Sequence, residues 1–467
     1  MDELSTHLVN NKVWWHESLA LRNLSARLSV YYTFMLEGIF MGVWSYYLVD
    51  IQHRVDLSDS QLGSAVLFVY LGMVVISPFT AYCLKTFGSK ASMLLGAILF
   101  GVSLSLIPLA FSHLLLVFTM AIYGLSMGVM DISMNSSAIL TEIVAGKSLF
   151  GGFHGSYSVA AAIGSVVGEV LTANHFDTMV VFGALSVGSV ILTVLLHANM
   201  YNFKQEVLIT EYQSTAAARD NTEAEDAVHK TIPGGGDVEN DVLHKRNRSS
   251  SSAEDNARPT NDGLVSPRYI IAFYSAVGFL ASFGESSIVT WSIVYFHREM
   301  HASELLKSLG FICFMVCMAL GRFSSDVLRA TFGRRVMVRV GGAFAFTGLT
   351  LVALAPDLPH SIMLGSIGFS ITGLGLSTLI PTMFSSAGHI PGGAHAGTSI
   401  AIVSMFTNSG AIVSSPLLGM VSDLLGSMRW AFFCDAVLLG VICVVSWGIP
   451  EESSIFKRNS AAAAKTE

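Results

Sequence analysis

Twelve apolar runs dominate this sequence, each of about 20 residues and so long enough to cross a bilayer as a helix. They start near residues 28, 62, 91, 114, 151 and 178, and again near 269, 303, 336, 361, 396 and 430. Six lie on each side of a hydrophilic segment, residues 201–266. The runs are too long and too rich in glycine for strands, and they lack the apolar–polar alternation of a membrane barrel. The expected fold is therefore an all-α membrane protein of twelve transmembrane helices. Its two six-helix bundles span residues 27–200 and 267–450, with tails at 1–26 and 451–467. No cleavable signal peptide is read ahead of the first run.

Composition narrows the function. The chain is 52% hydrophobic and 13% charged, too few polar side chains to cover a water-facing surface, which excludes a soluble enzyme. A formal net charge of −7 argues against nucleic-acid binding. Residues 201–266 hold 12 Asp+Glu against 7 Lys+Arg, with Gly234-Gly235-Gly236 and the Ser249–Ser252 run, and read as a disordered linker. Basic residues set the orientation. With a cytoplasmic N-terminus, only Arg54, Arg298, Lys307 and Arg429 fall outside, leaving 22 of 26 Lys+Arg inside. Both termini and the linker are then cytoplasmic.

The two halves repeat. Trp44-Ser45 precedes Gly63 by 19 residues, and Trp291-Ser292 precedes Gly310 by the same 19. Gly124-Leu125, Met134 and Ser136-Ser137-Ala138 match Gly373-Leu374, Met383 and Ser385-Ser386-Ala387 at a constant offset of 249. Shared positions at constant spacing point to one duplicated six-helix unit, and two such halves can rock about a central site. Gly124 and Gly128 form a small-xxx-small face for close helix contact.

Ionisable side chains inside the hydrocarbon are costly and mark working sites. Glu37 sits near the middle of the first span, with Trp44 two helical turns along the same face. A carboxylate beside an indole suits recognition of a polar solute and carriage of a proton. Asp131 and Asn135 share a face of the fourth span. Glu285, with Trp291 six residues on, occupies the repeat position of Glu37. Glu169 lies toward the outer end of the fifth span, while Asp423 and Asp435 are expected to reach the interface. His154 opens the fifth span and titrates near neutral pH, as a gate or relay would. Gln61, Tyr47 and Asn408 are further polar candidates. The five cysteines lie inside apolar runs with no metal-ligand spacing, and neither a phosphate-cradling loop nor a catalytic constellation is present. No cofactor, metal or ATP-driven engine is expected.

Several strings carry a resemblance: Leu57-Ser-Asp-Ser-Gln-Leu-Gly63, Met130-Asp-Ile-Ser-Met-Asn135, Phe153-His-Gly155, Gly321-Arg322, Gly373-Leu-Gly-Leu-Ser377 and Phe384-Ser-Ser-Ala-Gly388. With the six-plus-six plan and basic turns at Gly88-Ser-Lys90 and Gly333-Arg-Arg335, the chain resembles the major facilitator superfamily. It is similar, more narrowly, to the fucose–galactose–glucose:proton symporter branch, with the YbjJ-like bacterial inner-membrane members. The resemblance implies alternating access, a sugar-like solute, coupling to a proton, a monomer in the lipid bilayer, and solute- and proton-handling carboxylates on helices 1 and 4, where Glu37 and Asp131 fall. One departure stands out. The family's turn after helix 2 carries Gly and Asp where this chain has Ala81 and Lys85, so gating candidates move to Arg322, Asp326 and Arg334 of the second-half turn. A secondary transporter of a small polar solute is the leading reading. A non-transporting nutrient sensor and an exporter of small organic solutes are the alternatives.

Overall fold

The computed structural model describes residues 2–146, 149–210, 267–387 and 396–448, with side chains from residue 24 onward apart from 267, 326, 330, 385, 396–398, 400, 401 and 448. The described residues outside turns are helical. In order they form α1 (Asp2–Val55), α2 (Asp59–Leu104), α3 (His113–Ala145), α4 (Phe150–Ala173) and α5 (Thr178–His197). After the hydrophilic segment come α6 (Pro267–Arg298), α7 (Leu309–Phe332), α8 (Arg334–Leu354), α9 (Ser361–Leu376), α10 (Leu379–Ala387), α11 (Ala396–Leu425) and α12 (Met428–Val445). Contacts gather Met1–Phe203 and Pro267–Glu467 into one body and set Lys204–Ser266 apart as a second. Of that second unit, residues 204–210 are described, and they are helical. The linker features at Gly234–Gly236 and Ser249–Ser252 lie outside the described residues.

Ten described helices are long and apolar enough to cross a membrane. That count reaches twelve for two physical reasons. At 46 residues, α2 is about 69 Å long at about 1.5 Å per residue, more than twice the roughly 30 Å of a hydrocarbon core. It breaks at Gly88, whose φ of 82° and ψ of 171° leave the helical region, so it crosses twice. The other addition is α7, whose apolar stretch Leu309–Ser325 falls short of the usual span. The eighth crossing therefore starts at Leu309 rather than near 303, and residues 299–308 form a connection.

The duplication is visible in the backbone. Gly333 between α7 and α8 has φ 78° and ψ 162°, in the same region as the φ 82° and ψ 171° of Gly88. An L side chain at either turn would be strained, because positive φ brings Cβ against the backbone. Helix pairing repeats as well. A Cβ at Gly124 of α3 would collide with the Val69 carbonyl of α2, and one at Gly373 of α9 with the Phe314 carbonyl of α7. Likewise Gly164 of α4 meets the Ile39 backbone of α1, and Gly410 of α11 meets the Phe279 backbone of α6. The glycines let backbones touch where lipid offers no hydrophobic drive for association. Large apolar side chains such as Val75, Val187, Leu195 and Val444 point outward, as a lipid-facing surface requires.

The halves meet along α2–α11 and α4–α7. Gly63 lies against Ser415 and Pro416, Gly419 against Asp59, and Gly155 against Phe323. The α1–α2 end of the body carries a dense polar seam. Asp59, 2% exposed, accepts from Gln52 Nε2 at 2.7 Å, Ser422 Oγ at 2.6 Å and Arg298 Nη1 at 2.5 Å. In return Asp423 of α11 caps α2, accepting from the Asp59 and Ser60 amides at 3.2 and 2.9 Å. The 299–308 connection adds Lys307, fully buried, with Nζ 2.8 Å from Glu304, 3.7 Å from Asp50 and 4.3 Å from the Tyr46 ring centroid. Its neighbour Ser308 donates to Glu169.

Candidate functional site

The centre of the first half is an aromatic wall beside two acids. Glu37 of α1 is 4% exposed and interacts electrostatically with Asp131 of α3. It makes no hydrogen bond or ion pair with any described residue. Trp44, two turns along, faces Tyr123 of α3 with ring centroids 6.1 Å apart. Tyr123 in turn faces Phe100 at 5.3 Å, and Phe100 meets Phe40 edge-on at 5.3 Å. Each such pair contributes about 0.5–1.5 kcal/mol beyond area burial, so the wall behind Glu37 is firmly set. Asp131 accepts from Asn135 Nδ2 at 2.9 Å, and the same amide donates to the Asp131 carbonyl at 2.9 Å. Both partners are acceptors, so the amide nitrogen must face them. Asn135 Oδ1 is left buried without a partner.

The second half answers with an ion pair. Arg322 of α7 donates Nη2 to Glu285 of α6 at 2.7 Å and Nη1 to Ser158 of α4 at 2.7 Å. One guanidinium thus neutralises the Glu285 carboxylate and reaches across to the first half. Tyr157, beside Ser158, feels the charges of Glu37, Glu285 and Arg322 together. Tyr70 of α2 lies against Ser286 of α6. Glu37, Asp131, Tyr157, Arg322 and Glu285 therefore form one continuous electrostatic cluster spanning both halves.

The remaining candidates distribute as follows. Trp291 is fully buried, and its indole N–H has no partner. His154 packs between Phe34 at 5.1 Å and Phe150 at 4.8 Å, within reach of the Arg322 charge. Arg334 opens α8 at the Gly333 turn. The Asp326 side chain lies outside the described residues. Gln61 completes a capping box with Ser58, Tyr47 takes a hydrogen bond from Thr172, and Asn408 is exposed. Asp435 departs from its expected place. It does not reach the interface but is fully buried, accepting from Ser287 of α6. Sequence reasoning also passed over Asp59, Tyr70, Tyr123 and Tyr157. Asp59 stood inside the Leu57–Gly63 string without a role of its own, and tyrosines in apolar runs carry no signal until their neighbours are known.

A family model described as Major Facilitator Superfamily matches residues 28–233 and 274–466. The chain belongs to the major facilitator superfamily. It is 24% identical over 427 residues to an uncharacterised MFS-type transporter of Yersinia pestis, covering 91% of this chain and 96% of that one. It is 22% identical over 415 residues to the membrane protein MosC of Rhizobium meliloti, covering 89% and 88%. Among solved structures, the E. coli xylose transporter XylE, in a partially occluded inward-open form, matches with a TM-score of 0.64 at 17% identity, over 92% of this chain and 98% of that one. The nucleoside transporter NupG matches with a TM-score of 0.63 at 10% identity, over 91% and 99%. The chain is a multi-pass membrane transporter of this superfamily and not an enzyme.

Proposed function

We propose that this transporter moves a small hydroxylated solute of the sugar or nucleoside kind, coupled to protons, by alternating access at the Glu37–Asp131 site. The observation carrying this is the interaction of buried Glu37 with partly buried Asp131, free of any described cation and backed by the Trp44–Tyr123 wall. Two carboxylates that interact in a low-dielectric site repel each other, so the pair favours states in which a proton or a ligand relieves that repulsion. A proton taken at one face and released at the other is what coupling needs. The ring wall offers a flat apolar surface to a sugar or base, while the acids accept from its hydroxyls. The named solutes of XylE and NupG, xylose and nucleosides, support this solute class, as does the resemblance to proton symporters.

Counterflow in proteoliposomes, screened with labelled pentoses, hexoses, polyols, amino sugars and nucleosides, tests the reading. One class should exchange in the wild type and lose most of its exchange in Trp44→Ala. A protein that moves none of them yet is thermally stabilised by one of them would be a sensor, not a carrier.

We also propose that both termini and residues 201–266 are cytoplasmic, with the Asp59 seam on the outer face. The asymmetry of Lys and Arg supports this. An epitope inserted in the 201–266 segment should be unreachable to antibody in intact cells and reachable after permeabilisation. Labelling of intact cells would reverse the topology.

A further inference from the structure

We infer that the Asp59 end of the body carries an acid-released latch, in which protonation of His53 and His297 parts the two halves. Which compartment's acid it senses rests on the proposed outward placement of this end; the latch itself does not.

The latch is a cluster of five groups drawn from both halves. His53 in the last turn of α1 and His297 in the last turn of α6 meet edge to face, with ring centroids 5.9 Å apart. His53 is exposed and His297 partly buried, so solvent protons reach both. His297 Nδ1 is buried without a hydrogen bond, 3.9 Å from Oε1 of Glu304. The other Glu304 oxygen lies 2.8 Å from Lys307 Nζ, which is 3.7 Å from Asp50. Lys307 is fully buried and belongs to the second half, whereas Asp50 and the Tyr46 ring beneath the ammonium belong to α1 of the first. The 299–308 connection is thus strapped to the opposite half by one lysine.

Protonation changes the sign of the cluster. With neutral imidazoles it holds two acids and one ammonium, a charge of −1, and two imidazoliums bring it to +1. The facing rings then repel across the interface between the halves. A protonated ring also carries N–H at both nitrogens, so His297 Nδ1 becomes a donor to Glu304 and competes with Lys307 for it. A buried ammonium that loses its nearest carboxylate is costly, and the strap gains by withdrawing to water. Histidine changes charge between about pH 5 and 8, so neutral medium holds the latch shut and acid releases it.

The other charged groups at this end are engaged away from the two rings. Asp59 of α2 pairs with Arg298 of α6, and Asp423 of α11 caps α2. Glu169 of α4 accepts from Ser308, and Glu299 from Ser427 and the Met428 amide. His113 of α3 sits against Ser64 and the Gln61 carbonyl of its own half, so its charge does not act across the interface. Arg54 and His301 are exposed.

The test uses purified full-length protein in detergent, with Ser415→Cys reporting the separation of α11 from Gly63 of α2. Maleimide labelling is measured at about pH 8 and about pH 5.5, either side of the histidine range. At each pH the rate is divided by that of the denatured protein, which removes the titration of the thiol itself, and protein without Ser415→Cys supplies the background of native cysteines. This ratio should rise about tenfold in acid. In His53→Gln with His297→Gln, where neither position can charge, it should stay at its neutral-pH value. His297→Lys, a fixed cation, should label fast already at neutral pH. An acid rise that persists in the double glutamine variant would place the switch on other groups and overturn the inference. A wild type that does not respond to acid, or a His297→Lys protein that stays shut, overturns it as well. A working latch together with an epitope result that reverses the topology would leave the latch in place and make it a sensor of cytoplasmic acid.

Discussion

Glu37→Gln transporter in proteoliposomes should lose pH-driven accumulation of its solute while still exchanging solute at high concentration. Glutamine keeps the shape and one acceptor oxygen of the glutamate but cannot take up or release a proton. The loaded carrier can therefore still alternate, and what disappears is the link between a proton gradient and the direction of net movement. The expected loss is large, because a gradient of one pH unit corresponds to tenfold accumulation when one proton is coupled to one solute, and the variant should settle at equality. Its rate should also lose the pH dependence of the wild type. Asp131→Asn should behave similarly but more weakly, since Glu37 is the more deeply enclosed of the two and titration is a property of the pair. Undiminished pH-driven accumulation in Glu37→Gln would remove Glu37 as the coupling site.

Asp59→Asn should open the α1–α2 end. This carboxylate takes donors from α1, α6 and α11 at once, so it ties three helices of both halves at one point. A hydrogen bond to a charged group contributes about 1.5–3 kcal/mol. Arg298 is more than one-third exposed and its share is discounted for solvent screening. Losing roughly 3 kcal/mol from the closed form would shift the closed-to-open ratio by about a hundredfold. The Asp423 cap and the Lys307 contacts remain, so the protein should stay folded. A cysteine introduced at Ser415, where α11 meets Gly63 of α2, should react with a membrane-impermeant maleimide far faster in the Asp59→Asn background. Unchanged labelling would show that the Asp59 hub does not hold this end shut.

Both experiments probe contacts that differ in how far the sequence announced them. The number of crossings, the halves and their duplication follow from run length and spacing, and these are one-dimensional properties. A bilayer demands about 20 apolar residues per crossing, and a duplicated unit keeps its glycines where a neighbouring backbone must come close, as at Gly124 and Gly373, or where φ is positive, as at Gly88 and Gly333. Glu37, Trp44, Asp131 and Asn135 were legible too, because polar groups in a hydrocarbon-length run need a purpose and helical spacing shows which of them share a face.

Tertiary structure decided which groups meet. Glu37 and Glu285 hold matching places in the repeat, yet Glu285 has Arg322 at 2.7 Å while Glu37 has an acid for a neighbour. That asymmetry depends on the rotation of α7 against α6 and of α3 against α1, which spacing within one helix cannot express. Asp435 looked interfacial from its distance to the end of a run but is enclosed by α6. Lys307 looked like an outer-loop charge but is buried against Tyr46 and Asp50 of the other half. In each case the sequence determined how deep a residue lies along its own helix. Only the packing of one helix on another determined its partner, because a charge in low dielectric takes its energy from what lies across the interface.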